Sequence, residues 1–153
     1  MKINIIIVEK SSKETLYTPL IKHYQKMVMR FARIEVIEVF NKHIAKAHEI
    51  SAIEAQKSYT KALSPYLKGA YNIALDPSSK AVDSHQFADT LRDKERLNLF
   101  IGGAYGFEQN FLDACDAKVS LGAMTMSHKL VKVVLMEQIF RGFSIINNHP
   151  YHK

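Results

Sequence analysis

Three glycines within five residues close the segment Asn98–Gly106, and a second apolar run ends in the small-residue loop Ser120–His128. The chain then finishes in Asn148-His-Pro-Tyr-His152. Glycine lets a ligand come close to the backbone, whose N–H and C=O groups then serve as hydrogen-bond partners. Open parallel sheets bind ligands beyond the carboxyl ends of their strands. Leu75, Gly102-Gly103 and Gly122–Ser127 all fall at such ends of the expected strands. The chemistry this suggests is the holding of a nucleotide-like ligand. Taken alone, Gly102, Gly103 and Gly106 are better explained by a plain tight turn, since glycine commonly marks turns. The spacing is not the dinucleotide fingerprint, which follows a first strand, and no Walker phosphate loop occurs.

The histidines number seven, and His128, His149 and His152 gather near the C-terminal motifs. A histidine at a helix start, as at His128, commonly caps the helix or faces solvent. His149 and His152 lack the carboxylate or cysteine spacing that completes a metal site, so no metal is expected. Glu137 and Arg141 stand four apart on an expected helix, the spacing of an ordinary ion pair. The single cysteine, Cys115, cannot form an internal disulfide and has apolar neighbours suited to a core. No Ser-His-Asp or Cys-His arrangement stands out. The residues alone therefore indicate a ligand site and no reaction.

These residues need a scaffold. At 153 residues with 47% hydrophobic content, the chain suits one core and a single domain over 1–153. A charged fraction of 24% argues against disorder. No apolar stretch approaches the roughly 20 residues of a membrane span. No small-residue cleavage site follows Ile3–Val8, so a cytoplasmic protein without membrane association is expected. The net charge of +6 is spread over residues such as Lys22, Lys26, Arg30, Arg33, Lys57 and Lys61. Such a surface attracts polyanions, nucleic acid among them, or serves solubility alone.

Strands are expected at Ile3–Val8, Ile34–Phe40, Tyr71–Leu75, Leu97–Ile101 and Lys118–Leu121. Helical patterns run over Lys13–Phe31, with Pro19 near the start, and over His43–Leu63 as one long segment. Others follow from Asp83 or Ser84 to Glu95, over Phe107–Cys115, and from a Ser127 cap through His128 to Phe143. This alternation predicts an α/β fold with a mostly parallel sheet covered on both faces.

The Ile-Gly-Gly-x-x-Gly loop, the Ser-x-x-Ala-Met-Thr-x-x-His segment and the Asn-His-Pro-Tyr-His ending together resemble the RlmH-type large-subunit ribosomal RNA methyltransferases of the SPOUT superfamily. The similarity is dense from Asn98 onward and collinear before it. It implies a SPOUT-type α/β fold with a C-terminal trefoil knot, an exception to the rule that chains do not thread loops. It also implies a homodimer, S-adenosyl-L-methionine as methyl donor, and N3-methylation of a pseudouridine in helix 69 of 23S rRNA on the assembled ribosome. Carried onto this chain, the cofactor pocket would use Leu75, Gly103, Gly122, Ala123, Met124, Thr125, Met126 and Ser127. His128, Arg141, Tyr151 and His152 are the candidates for catalysis, with Glu137 orienting Arg141.

Four positions depart from the family pattern. Ser127 and Lys129 stand where prolines often flank the histidine, and Tyr105 stands where an acidic residue is frequent. Lys132 replaces a common arginine, keeping the charge but losing the bidentate fork that grips a phosphate. Two other readings compete: an RNA- or ribosome-binding factor without catalysis, and a small nucleotide-binding regulatory dimer. Intact cofactor loops argue against the first. The basic surface and the His-Pro-Tyr-His tail are not needed by the second.

Overall fold

The computed structural model describes residues 1–13 and 15–153. Five strands form one all-parallel sheet: β1 (Lys2–Val8), β2 (Arg33–Val39), β3 (Tyr71–Leu75), β4 (Arg96–Ile101) and β5 (Ala117–Val119), in the order β2-β1-β4-β3-β5. Among the described residues, six α-helices connect and cover them: α1 (Thr18–Val28), α2 (Lys42–Ile50), α3 (Ala52–Leu63), α4 (Ser84–Leu91), α5 (Gln109–Ala114) and α6 (His128–Ile146). The strands fall where the apolar runs predict them. Parallel strands buried on both faces read as continuous hydrophobic segments, and β1 divides its isoleucines between two cores. Ile3, Ile5 and Ile7 join residues of α1, α4 and α6 on one face. Ile6 and Val8 join Ile44, Tyr59, Leu63 and Phe111 from α2, α3 and α5 on the other.

Helix boundaries are less faithful to the pattern. The expected helix from Lys13 starts only at Thr18, with Pro19 in its first turn, where the missing N–H costs no hydrogen bond. The segment expected as one helix over His43–Leu63 is two. Ser51 adopts an extended backbone (φ −168°, ψ 165°) that ends α2, and its hydroxyl accepts from Glu54 N to cap α3. Serine does this because its side chain competes for backbone groups in non-helical conformations. The helix from Asp83 stops at Leu91, short of Glu95, and begins with a reciprocal capping box between Asp83 and Gln86. Ser127 stands at the N-cap position of α6, but its side chain makes no capping bond.

Three asparagines at matched register cross the middle of the sheet: Asn4 on β1, Asn98 on β4 and Asn72 on β3. Asn4 Nδ2 donates to Asn98 Oδ1 (2.9 Å), and Asn98 Nδ2 donates to Asn72 Oδ1 (3.0 Å) and to the Tyr66 carbonyl (2.7 Å). Asn72 Nδ2 donates to the carbonyls of Leu67 and Ala70, closing the short 3₁₀ turn before β3. Any one-residue slip would strand these amides in the core. Cys115 is buried as expected, and burial chiefly pushes its thiol up to about 11. Where α4 crosses α6, a Cβ on Gly142 would lie 2.7 Å from Leu91 Cδ1, so glycine sets how closely the two helices approach. Among the described residues no helix is long and apolar enough to cross a membrane.

Replacing Asn98 with alanine strips partners from Asn4 Nδ2, Asn72 Oδ1 and the Tyr66 carbonyl at once. At about 1–3 kcal/mol for each buried polar group left unpaired, Asn98→Ala is expected to lower stability by about 3 kcal/mol or more. A urea titration followed by circular dichroism measures it.

Candidate cofactor cleft and active site

The cleft opens at the carboxyl edge of β3, β4 and β5. Leu75, Ile101 and Val119, the last residues of those strands, form part of its wall together with Leu121 and Val131. The loops 102–107 and 121–127 form its sides and the start of α6 closes it, around a cavity of about 480 Å³. That volume falls within the roughly 300–1,000 Å³ of small-molecule sites, and a mostly apolar wall with backbone polar groups is their usual composition.

Each loop is shaped by an identifiable contact. Gly106 N donates to the Gly103 carbonyl (3.1 Å), and Gly106 takes the left-handed conformation at φ +71°. In the second loop, Ser120 Oγ donates to the Gly122 carbonyl (2.9 Å) and also accepts from Gly122 N (3.1 Å), while Gly122 sits at φ +143°. Gly103 answers to a different need. A Cβ there would meet the Tyr59 ring and hydroxyl at 2.7 Å, so the glycine loop rests directly on α3.

Tyr59 is itself fixed, because its hydroxyl lies 2.6 Å from His48 Nε2. Burial, the largest influence, pushes that phenol up to about 12. Gln56 Nε2 donates to the Tyr105 carbonyl (2.7 Å), and the Tyr105 ring stands edge-on to His48 at 5.3 Å. The residue standing in place of the frequent acidic group is thus held by its backbone and its ring.

Of the cofactor residues expected from the sequence, Leu75, Gly103, Gly122, Met124, Thr125, Met126 and Ser127 line the cleft. Ala123 does not line it, although both neighbours do. His128 also lines the cleft, with Nε2 3.4 Å from Glu9 Oε2.

Arg141, Tyr151 and His152 lie elsewhere in the chain. Arg141 is on α6 about 20 Å beyond His128 at 1.5 Å per residue. Around it, Glu137 Oε1 accepts from Arg141 Nη2 (2.6 Å), Arg141 Nε (3.1 Å) and the Tyr151 hydroxyl (3.0 Å). The bond to Glu137 is the main cause holding the Arg141 guanidinium above its usual range. Burial, then the bond to Glu137, raises Tyr151.

Arg141 Nη1 lies 3.3 Å from His152 Nδ1, and the His85 ring meets the His152 ring edge-on at 4.9 Å. A single chain therefore brings three of the four expected catalytic residues together and leaves His128 apart from them. Among the described residues, no three His, Cys, Asp or Glu side chains gather as a metal site.

Lys132 does not offer its charge to a phosphate. Its side chain is 6% exposed, with Nζ 2.8 Å from Glu9 Oε1 and 4.0 Å from Glu38 Oε1. Glu9, His85, Tyr59 and His48 were not among the residues anticipated at the site. Glu9 carried one signal: an acid directly after an apolar strand stands at the edge where parallel sheets bind ligands. Lys132 carried another, standing one helical turn beyond His128.

An open parallel sheet with helices on both faces, whose strand ends carry a glycine-shaped cleft, defines an α/β protein with a cavity of small-molecule size at its carboxyl edge. Comparison gives the particular family. The chain matches the family model described as "Predicted SPOUT methyltransferase" over residues 1–152. It is 61% identical over 153 residues to the ribosomal RNA large subunit methyltransferase H of Sulfurovum sp. (strain NBC37-1), with both chains covered completely. It is 48% and 47% identical to proteins of the same name from Aliarcobacter butzleri and Wolinella succinogenes, again over 100% of each chain. The chain belongs to the SPOUT methyltransferase family, and a methyl donor is the ligand such an enzyme requires.

Adding one methyl group to Gly103 forces a buried ring to move, an overpacking cost of about 1–3 kcal/mol. Gly106→Ala meets open space and is charged only the left-handed backbone, about 1–2 kcal/mol. Both variants should melt below the wild type in a thermal scan. Gly103→Ala alone should also change the environment of Tyr59, seen in near-ultraviolet circular dichroism.

Proposed function

We propose that this protein is an S-adenosyl-L-methionine-dependent methyltransferase of large-subunit (23S) ribosomal RNA. It modifies N3 of a pseudouridine in helix 69 on the assembled ribosome, in the cytoplasm, and works as a homodimer with a C-terminal trefoil knot. The observation that carries this reading is the cleft itself: an apolar, backbone-lined cavity of about 480 Å³ at the strand ends of a methyltransferase fold. The printed names of the full-length relatives support the ribosomal substrate. The sequence motifs support the finer specificity through their resemblance to the RlmH-type enzymes.

The residues present suit the donor. Leu75, Ile101, Val119 and Leu121 offer an apolar bed for a purine, and loops 102–107 and 121–127 offer backbone N–H and C=O groups. Gly103, Gly122, Met124, Thr125, Met126 and Ser127 would hold it. When bound, S-adenosyl-L-methionine supplies a methyl group on a sulfonium, open to in-line attack.

The protein's remaining task concerns the acceptor. N3–H of a pseudouracil is a weakly acidic imide that must lose its proton, and a fixed cation beside it stabilises the anion. Arg141, tied to Glu137 and stacked 4.8 Å from the Tyr151 ring, is such a cation. His128 and His152 are the groups suited to take the proton. Because Arg141 lies about 20 Å along α6 from His128, the C-terminal tail of a second copy completes the cleft of the first. That separation is the main structural support for a dimer. Two copies also double the basic surface presented to structured RNA, whose recognition relies on shape and phosphate contacts.

Calorimetric titration of S-adenosyl-L-methionine, with the mass in solution recorded alongside, should show saturable binding to a dimer. Methylation of ribosomes lacking the modification should follow. Absence of binding both alone and with ribosomes present would sink the proposal. Arg141→Ala and His152→Ala should each cut turnover by about 100-fold and leave donor affinity within a few-fold. Wild-type turnover in both variants would remove these residues from the site.

A further inference from the structure

Among the described residues, the structure buries a carboxylate that the reaction scheme above does not use. Glu9 stands immediately after β1, at the carboxyl edge of the sheet, with its side chain 5% exposed. One oxygen, Oε1, accepts from Lys132 Nζ at 2.8 Å. The other, Oε2, is fully buried and makes no hydrogen bond. The imidazole of His128 faces it, with Nε2 at 3.4 Å. A buried carboxylate with a vacant oxygen costs free energy unless a donor is held beside it. Glu9 does not itself line the cleft, whereas His128 does. The carboxylate therefore reaches the ligand space only through the histidine.

Resting on the reading of this cleft as a methyl-transfer site, we propose that Glu9 is a positioning residue that acts through His128. Glu9 Oε2 fixes the imidazole with Nε2 as the protonated nitrogen and leaves Nδ1 as the nitrogen that can accept a proton. Which ring nitrogen carries the proton is set by the bond the other nitrogen lacks or makes. Lys132 balances the charge of Glu9, and Glu38 lies 4.0 Å from Lys132 on the adjacent strand β2. Because His128 and Lys132 both lie in the first turns of α6, the pair also clamps that helix start against the end of β1. The loop 121–127 is held between these fixed points. Positioning of this kind does not change what the chain binds; it selects which nitrogen faces the acceptor.

The test uses the full-length protein labelled with ¹⁵N-histidine, read by long-range ¹H–¹⁵N spectra at alkaline pH. The His128→Gln spectrum assigns the signal. In the wild type, His128 is expected as the Nε2–H form. This arm needs no variant that might misfold and no catalytic activity; a predominant Nδ1–H form overturns the proposal.

A second arm compares Glu9→Gln with Glu9→Gln/Lys132→Met, which removes the charge on both sides, each checked for folding by thermal melt. Tautomer preference should relax toward a mixture, and kcat should fall about 10-fold or more while donor affinity stays within two-fold. An unchanged His128 spectrum, or a relaxed tautomer with unchanged kcat, rejects the positioning role. Should the wild type prove inactive on ribosomes, the functional reading fails while the spectra still decide the placement of Glu9.

Discussion

Asn4, Asn98 and Asn72 hydrogen-bond side chain to side chain across three adjacent strands, and the carboxyl edge of the sheet inherits its alignment from them. An aliphatic core tolerates sliding because one isoleucine packs much like the next. A ladder of buried amides does not, since each displaced group loses its partner where no water can replace it. With register fixed, Leu75 and Ile101 end their strands side by side, and the two loops that follow meet across one cavity. The same asparagines reach the Tyr66, Leu67 and Ala70 carbonyls, so the chain entering β3 is bound into the same network.

From that edge outward, the site is built by packing rather than by polar contact alone. The glycine loop lies on Tyr59, which is held by His48, whose ring in turn meets Phe40 and Tyr105. These contacts join the loop to α2 and α3 on one side of the sheet. On the other side, α6 is held by its close crossing with α4 at Gly142 and by the buried pair of Lys132 and Glu9. Buried ion pairs seldom add much net stability, because desolvation offsets their attraction. Their geometry is nevertheless demanding, and here it ties the early part of α6 to the end of β1.

What the sequence made legible follows a physical divide. Strands and glycine loops were readable because burial on both faces and left-handed backbone each leave a residue-type signature, as at Ile3–Val8 and Gly106. The break between α2 and α3 was hidden because Ser51 lies inside a run of good helix formers, and capping is a matter of one hydroxyl. Glu137 and Arg141 pair as their spacing indicates, yet nothing in that spacing shows Tyr151 donating to the same oxygen. The burial of Lys132 was not legible because its partner Glu9 lies far away in sequence. Likewise, residue spacing alone does not show that α6 keeps His128 apart from Arg141, Tyr151 and His152 within one chain. Contacts between distant segments are the part that periodicity does not encode.

Helix α6 bears a functional histidine candidate at its first residue and the Glu137–Arg141 pair well along its length. On a rigid helix, position and direction are coupled: inserting one residue between the two would advance the distal cluster by 1.5 Å and rotate it by roughly 100°. The fold can therefore absorb length variation in its outer loops, but α6 behaves as a ruler whose residue count is as constrained as any side chain it carries.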